Sequence, residues 1–338
     1  MVEFLPQVWF GLIGVLFVGY SLLDGFDLGI GSLLPYLAKT EEERRQLFNT
    51  VGPVWDGNEV WLLAGGGALF AAFPPVYATV FSGFYLALML VLVALVLRAV
   101  ALEFYHGDPR RKGVWSYVFE LGSAIPAVLL GVALGNVIAG VPLNLHGDFI
   151  GDFFTLLRPY PLAIGGLGLC AILLQGATFA ALKTEGTVRE RAQGIAAWMP
   201  IPLLVLLAVT GFMGYRLTPA VFVRWTAWLS CLGVVLGAVL AMAASRRGQD
   251  VPAFAGSCVA FAGLWGIAGA VLYPDLLRSL GPGPALTVFN SAAGEKTLLT
   301  MTVIALIGVP LVLGYTVYAY RTFRGRTSVP AVPPPEEP

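Results

Sequence analysis

Long apolar stretches separated by short polar segments dominate the chain between residues 8 and 320. Each stretch holds about 20 or more mostly apolar residues, enough for a helix rising 1.5 Å per residue to cross roughly 30 Å of hydrocarbon. The pattern predicts nine such helices: Val8–Tyr36, Val54–Phe73, Val76–Phe104, Val114–Gly140, Tyr160–Leu182, Gln193–Tyr215, Phe222–Ser245, Pro252–Leu272 and Thr297–Tyr320. The chain is therefore predicted to be an all-α polytopic membrane protein.

Composition supports this fold class. The 338 residues are 57% hydrophobic and 12% charged, whereas soluble domains carry about a quarter charged residues. The formal net charge of zero argues against a nucleic-acid partner. The start of the chain lacks a basic segment, and the first apolar stretch is long enough to span, so we expect no cleaved signal peptide.

The distribution of basic residues predicts the orientation. With the N-terminus outside, fourteen of the twenty Lys and Arg residues fall in inner loops and the tail, and five fall in outer segments. This bias follows the positive-inside rule and places the C-terminus in the cytoplasm. Residues 1–328 form the predicted membrane domain, with helices 1–4 over about 8–140 and helices 5–9 over about 160–320. The Pro-rich residues 329–338 are predicted to be a disordered cytoplasmic tail.

Four acidic residues occupy positions that an apolar helix disfavours. Asp24 and Asp27 lie within the first span, and Asp56 and Glu59 open the second. Each pair is spaced i,i+3 and so shares a helix face, and the orientation places both pairs near the inner side. A carboxylate at bilayer depth costs several kcal/mol unless it is paired, hydrated or neutralised, so such residues are functional candidates. For Asp56 the alternative is a first-turn acid that favours the helix dipole.

Two further charged residues lie in spans on the inner side. Arg98 is in the third span and Glu120 in the fourth. The sequence leaves two arrangements open: the two side chains pair, or the arginine extends to the inner headgroups.

Ligands for a redox metal are sparse in the spans. His106 and His146 lie in loops, and Cys170, Cys231 and Cys258 lie singly on three different helices. A haem or copper centre needs axial His, Met or Cys ligands placed to reach the metal. We therefore predict that this chain contains neither a metal site nor catalytic residues of its own.

Two motifs carry a family resemblance. The run Asp24–Gly29 (DGFDLG), and the run Trp55–Trp61 (WDGNEVW) followed by Gly66–Ala72, resemble subunit II of the cytochrome bd-type quinol oxidases. The likeness continues in three weaker segments: Phe81–Tyr85, Gly140–Asn144 and Gln175–Thr178. It covers the helical chain nearly end to end and weakens after the fifth predicted helix.

The resemblance implies an architecture and a partner. Members have nine helices, arranged as two four-helix bundles plus one peripheral helix, and pair with a similar subunit I. Subunit I carries two haems b and one haem d and oxidises quinol, while the complex reduces oxygen to water with protons taken from the cytoplasm. Subunit II itself binds no haem. The resemblance implies a bacterial or archaeal cell membrane, possible small single-helix accessory subunits, and, in some members, a quinone in a lipid-facing groove of subunit II.

The resemblance also assigns roles to residues of the two motifs. Asp24, Asp27 and Asp56 match family acids that help line a proton route, and Glu59 is included with them, although members can have Gln there. Arg98 is expected to be a charge partner, whereas Trp55 and Asn58 are expected to be structural.

Two other function classes remain open from the residues: a proton-coupled transporter that uses the same acids, and a structural scaffold with the acids locked in ion pairs. A transporter usually shows inverted repeats or matching broken helices, and the sequence displays neither.

Overall fold

A computed structural model describes residues 4–217 and 219–328, and helices make up most of this part of the chain. The twelve α-helices of the described residues are α1 Leu5–Leu37, α2 Glu41–Val51, α3 Trp55–Ala72, α4 Pro74–Gly83, α5 Tyr85–Gly107, α6 Lys112–Ala139, α7 Pro159–Lys183, α8 Gly186–Trp198, α9 Pro200–Leu217, α10 Trp225–Arg246, α11 Asp250–Leu272 and α12 Glu295–Thr322. A short antiparallel ribbon pairs β1 Asp275–Leu277 with β2 Leu286–Thr287. The predicted disordered tail, residues 329–338, lies outside the described residues.

The predicted spans correspond to this structure with three differences. Eight helical stretches of the described chain are long and apolar enough to cross a membrane. The predicted second span corresponds to α3, which has a polar first turn and is not among these eight. The predicted third span is wrong as a single helix, because the chain breaks at Phe84 between α4 and α5. The sixth is likewise divided, since α8 and α9 meet at Met199, just before Pro200.

The helices form two bundles, as expected. The first contains α1, α3, α5 and α6, and the second contains α7, α8–α9, α10 and α11. The last helix, α12, packs mainly against α1 and α3, and nearly all of its residues are outside the core. It is therefore the peripheral helix.

Two glycines join the bundles where α1 crosses α7. A Cβ atom on Gly176 would lie 2.4 Å from the carbonyl carbon of Gly29, and one on Gly29 would lie 2.2 Å from the carbonyl oxygen of Ile172. Small residues at such crossings let the backbones of membrane helices pack closely. One turn away, Phe26 stacks on Phe179 with ring centroids 3.7 Å apart. The α1–α7 crossing thus sets the distance between the bundles.

A short polar helix, which the sequence analysis missed, covers one end of the bundles. This helix, α2, begins with a capping box in which Thr40 and Glu43 each bond to the other's backbone N–H. Lys112 at the α5–α6 turn pairs with Glu41 of α2, and Arg191 of α8 pairs with Glu43. The end of the molecule that holds α2 and the α5–α6, α7–α8 and α10–α11 turns is called the basic side below.

The segment after α12, residues 323–328, crosses the basic side and ties the bundles together. Thr327 donates its N–H to the Lys183 carbonyl at 2.7 Å and accepts a hydrogen bond from the Gln46 side chain at 2.5 Å. Arg326 pairs with the buried Asp250 at 2.7 Å, beside Arg189 at 2.9 Å. This segment therefore links α2 to α7 and α11 of the second bundle.

Glu43 is the acidic centre of the link between α2 and α8. Burial opposes its charge, but hydrogen bonds from Arg191, Thr187 and the backbone N–H groups of Lys39 and Thr40 outweigh burial and lower the pKa of this carboxyl to about 2. The shortest of these bonds are 2.6 Å, from the Thr187 hydroxyl and from the Lys39 backbone N–H, and the bond from Arg191 is 2.8 Å long. Glu43 is thus held ionised between the two bundles.

We predict that Glu43→Gln lowers the free energy of unfolding by on the order of 1–3 kcal/mol at neutral pH, because hydrogen bonds to a charged group are lost. The folded-state pKa lies below the ordinary value of 4.5. The stabilisation from the charge is therefore complete above about pH 4.5 and disappears as the pH falls toward 2. Thermal unfolding of the wild type and of Glu43→Gln should be measured as a function of pH. The difference in stability between the two proteins should become smaller below pH 4.5. The exposed Glu190→Gln on α8 is the control, and an equal loss there would contradict the assignment.

Candidate functional site

A buried arginine lies between two carboxylates in the first bundle. The Arg98 Nη2 atom donates to Asp24 Oδ1 at 2.6 Å and to Glu59 Oε1 at 2.5 Å. The side chains of Arg98 and Asp24 are fully buried, whereas that of Glu59 is 25% exposed. A buried charge persists only when it is paired and hydrogen-bonded, so this triad keeps three helices in register.

Three helices supply the triad and a fourth makes room for it. Asp24 lies in the middle of α1, Glu59 one turn into α3, and Arg98 in the second half of α5. On α6, Gly122 packs against α5 so closely that a Cβ atom would lie 2.9 Å from the Arg98 backbone nitrogen. This contact lets α6 pack closely against α5 at the backbone of Arg98.

Asp27 and Asn58 extend the polar cluster toward the peripheral helix. The Asn58 amide donates from Nδ2 to Asp27 Oδ2 at 2.7 Å. Its carbonyl oxygen accepts from the Tyr320 hydroxyl of α12 at 2.9 Å. Asp27 is fully buried and Asn58 is nearly so. The chain of contacts from α12 through α3 to α1 fixes the orientation of the Asn58 amide.

Several buried polar atoms of this cluster have no hydrogen-bond partner within the described residues. They are Tyr20 OH, Asp24 Oδ2, Asp27 Oδ1, Arg98 Nε and Nη1, and Trp61 Nε1. Buried polar groups in native proteins are almost always bonded to protein or ordered water, and internal waters favour sites that offer several polar partners. The cluster therefore offers several unpaired polar atoms of the kind that internal water bonds.

Asp56 lies apart from this cluster. It is exposed in the first turn of α3, on the basic side, whereas Glu59, one turn deeper, faces the arginine. The i,i+3 spacing predicted a shared face, but the rotation of α3 turns one acid outward and the other inward. Exposure falls from Asp56 through Glu59 to Asp24, so the three acids form a series from the surface to the interior.

Both sequence-based arrangements for Arg98 are wrong. The arginine neither extends to the headgroups nor pairs with Glu120, because Asp24 and Glu59 occupy it. Glu120 is half-buried on α6, outside the ion pairs of the cluster. Trp55 is also half-buried and packs against the main apolar core.

No site role was predicted from the sequence for Tyr20, Trp61 or Tyr320. Tyr20 lies one turn before Asp24 and therefore on the same face of α1, a spacing that could have identified it. The role of Tyr320 depends on how α12 packs on α3, which no local pattern encodes.

The described residues contain a cavity away from the acid cluster, and they offer no group of side chains for a metal ion. A cavity of about 350 Å³ lies at the side opposite α2, lined by Phe84, Phe149 and Asp152 among others, and it contains none of the acids discussed above. Across residues 4–217 and 219–328, no group of three or more His, Cys, Asp or Glu side chains is placed to hold a metal ion.

We predict that Arg98→Gln destabilises the protein by about 3–5 kcal/mol, because removing one partner leaves buried carboxylates uncompensated. Adding Asp24→Asn should restore part of that loss, since one of the uncompensated charges is removed. Thermal unfolding of the purified single and double variants measures both effects. The exposed Arg110→Gln is the matched control for loss of a positive charge. Additive losses in the double variant would show that the two residues do not interact.

Comparison with known proteins identifies the family. The family model described as cytochrome bd terminal oxidase subunit II matches residues 5–323. The chain is 34% identical to the cytochrome bd-I ubiquinol oxidase subunit 2 of Escherichia coli K12, with 96% of this chain and 95% of the relative covered. It is 36% identical to the cytochrome bd ubiquinol oxidase subunit 2 of Bacillus subtilis, with 96% and 97% covered.

A solved structure matches the fold. It is the bd oxidase from Geobacillus thermodenitrificans, which aligns with a TM-score of 0.78 at 18% identity and covers 94% of this chain and 98% of the matched one. The sequence and structural matches each extend over nearly the entire chain. The protein therefore belongs to the cytochrome bd terminal oxidase subunit II family.

Proposed function

We propose that this chain is the haem-free subunit of a quinol:oxygen oxidoreductase and that its buried acids conduct protons toward the oxygen-reduction site. Support comes from the series Asp56, Glu59 and Asp24, whose exposure falls from the surface to full burial. Oxygen reduction consumes protons, and hydrocarbon blocks their passage. A proton route through a membrane protein requires hydrated ionisable groups such as these.

The side from which protons enter follows from charge. The basic side carries most of the Lys and Arg residues, so we place it in the cytoplasm, with the N-terminus outside. The exposed Asp56 at that side would then be the entrance. Glu59 and Asp24 come next, with Arg98 holding both carboxylates. Asp27 extends the cluster through Asn58.

The haems and the quinol-oxidising site are expected in a partner, subunit I. One face of α3 is exposed and carries residues spaced one to two helical turns apart. They are Asp56, Val60, Leu63 and Phe70. We propose that subunit I covers the apolar part of this face, Val60, Leu63 and Phe70, and receives the protons, while Asp56 stays open to the cytoplasm at the edge of the contact.

The transporter alternative has less support. Helix breaks occur in both halves, at Phe84 and at Met199. Neither break belongs to the acid cluster, whereas transporter sites are formed by discontinuous helices themselves. If the purified chain lacked a haem-bearing partner and oxidase activity, the oxidase proposal would fail.

We predict that Asp56→Asn leaves assembly and haem spectra intact and slows quinol oxidase turnover on the order of 10²-fold, the lower end of what a positioned proton-transfer group contributes. Its exposure means that the substitution leaves no uncompensated buried charge. Oxygen consumption by the purified complex measures the effect, and Asp148→Asn, exposed on the opposite side, is the control. Normal turnover in an assembled Asp56→Asn complex would favour the scaffold, and loss of haem would indicate a role in assembly.

A further inference from the structure

The buried cluster contains more acids than bases. Asp24 and Asp27 lie one turn apart on α1, and Arg98, whose guanidinium is the one among the described side chains of the cluster, joins Asp24 to Glu59 of α3. If all three carboxyls were ionised, the cluster would hold two uncompensated negative charges. A carboxyl in such a position takes up a proton, because neutralising it costs less than burying its charge.

Two of the three acids, Asp24 and Glu59, each have a positively charged partner that stabilises a negative charge. Asp24 forms a 2.6 Å ion pair with Arg98. Glu59 shares the same guanidinium nitrogen at 2.5 Å, and its side chain is 25% exposed. Both carboxylates therefore have a positive partner.

Asp27 has no ion-pair partner among the described side chains, and its side chain is not exposed. It is fully buried, and its one hydrogen bond within the described chain comes from the neutral amide of Asn58 at 2.7 Å. The charged groups that act on it are Asp24 of its own helix, Glu59 of α3 and Arg98 of α5; the hydroxyl of Tyr320 reaches it from α12 only through Asn58. The two neighbouring carboxylates both disfavour a third negative charge.

The hydrogen-bond network also selects the oxygen that carries the proton. Tyr320 donates to Asn58 Oδ1, so the amide turns its NH₂ group toward Asp27 Oδ2. That oxygen is an acceptor, whereas Oδ1 has no partner within residues 4–217 and 219–328. A protonated carboxyl then fits with its hydroxyl at Oδ1 and its carbonyl at Oδ2. Tyr320 acts as a positioning residue by orienting Asn58.

We infer that Asp27 holds a proton at Oδ1 in the resting complex, while Asp24 and Glu59 are ionised around Arg98. This assignment concerns the charge state of the cluster and stands apart from turnover. The further role of Asp27 as the proton store of the route rests on the proposed function. In that role the hydroxyl proton passes to an ionised neighbour through water, and a proton arriving from the basic side replaces it.

The test is infrared spectroscopy of the assembled oxidase at neutral pH. A protonated buried carboxyl gives a C=O stretching band that is separate from the carboxylate bands. The frequency of this band shifts when H₂O is exchanged for D₂O. The wild-type-minus-Asp27→Asn difference spectrum should contain one such band, and the corresponding Asp24→Asn difference spectrum should lack it. A spectrum of Asp27→Asn that retains every protonated-carboxyl band would overturn the inference.

Two further variants keep the test decisive. Asp27→Glu should change the frequency of the band. This change would identify Asp27 as the source of the band even if Asp27→Asn fails to assemble, and an unchanged frequency would contradict the assignment. Tyr320→Phe should shift the band without abolishing it, because Asn58 loses the donor that orients its amide. An unshifted band would exclude that positioning role. Normal turnover in Asp56→Asn with the Asp27 band present would refute the proton route and leave the charge assignment intact.

Discussion

The contact between the Arg98 guanidinium and the carboxylates of Asp24 and Glu59 is the interaction on which the first bundle depends. A charge taken from water into the bilayer carries a penalty that only close, well-oriented partners offset. The three residues come from α5, α1 and α3, so the ion pairs fix these helices relative to one another. Gly122 of α6, which has no side chain, lets that helix pack closely against α5 at the backbone of Arg98.

The same constraint explains how the remaining polar groups are distributed. One guanidinium can compensate a limited number of acids, so the acids differ in environment. Asp56 lies exposed at the basic side, Glu59 is partly exposed beside the arginine, Asp24 is buried and paired, and Asp27 is buried beside a neutral amide. Four carboxyls of similar chemistry thus become a graded set, which is the property that a proton route requires.

The bundles themselves are stabilised outside the cluster. Close packing at Gly29 and Gly176 brings α1 and α7 together in the interior. At the basic side, Glu43 and residues 323–328 connect the two bundles through hydrogen bonds and ion pairs. The first bundle can therefore hold the charged cluster while the second supports it through α1.

Much of the fold could be predicted because apolar length is a direct requirement of the bilayer. The α2 helix could not, since its 11 residues are largely polar and its apolar face is short. The break at Phe84 also escaped prediction, because the surrounding residues are as apolar as those of a continuous helix. In the site, i,i+3 spacing identified the acids but not the rotation of α3 that separates Asp56 from Glu59. The partner of Arg98 depends on how α1, α3 and α5 pack together, and such a three-helix contact has no local sequence signal.

In the proposed function, the buried acids of this subunit conduct protons from the cytoplasm to the oxygen-reduction site. Proton uptake during a single reaction of the fully reduced oxidase with oxygen measures this transfer. The complex would be reconstituted in vesicles with its basic side facing a medium that contains a pH-sensitive dye. We expect an Asp24→Asn complex with normal haem content to take up protons from that medium more slowly than the wild type, with oxygen reduction delayed to match. Uptake and oxygen reduction at wild-type rates would contradict the proposed function.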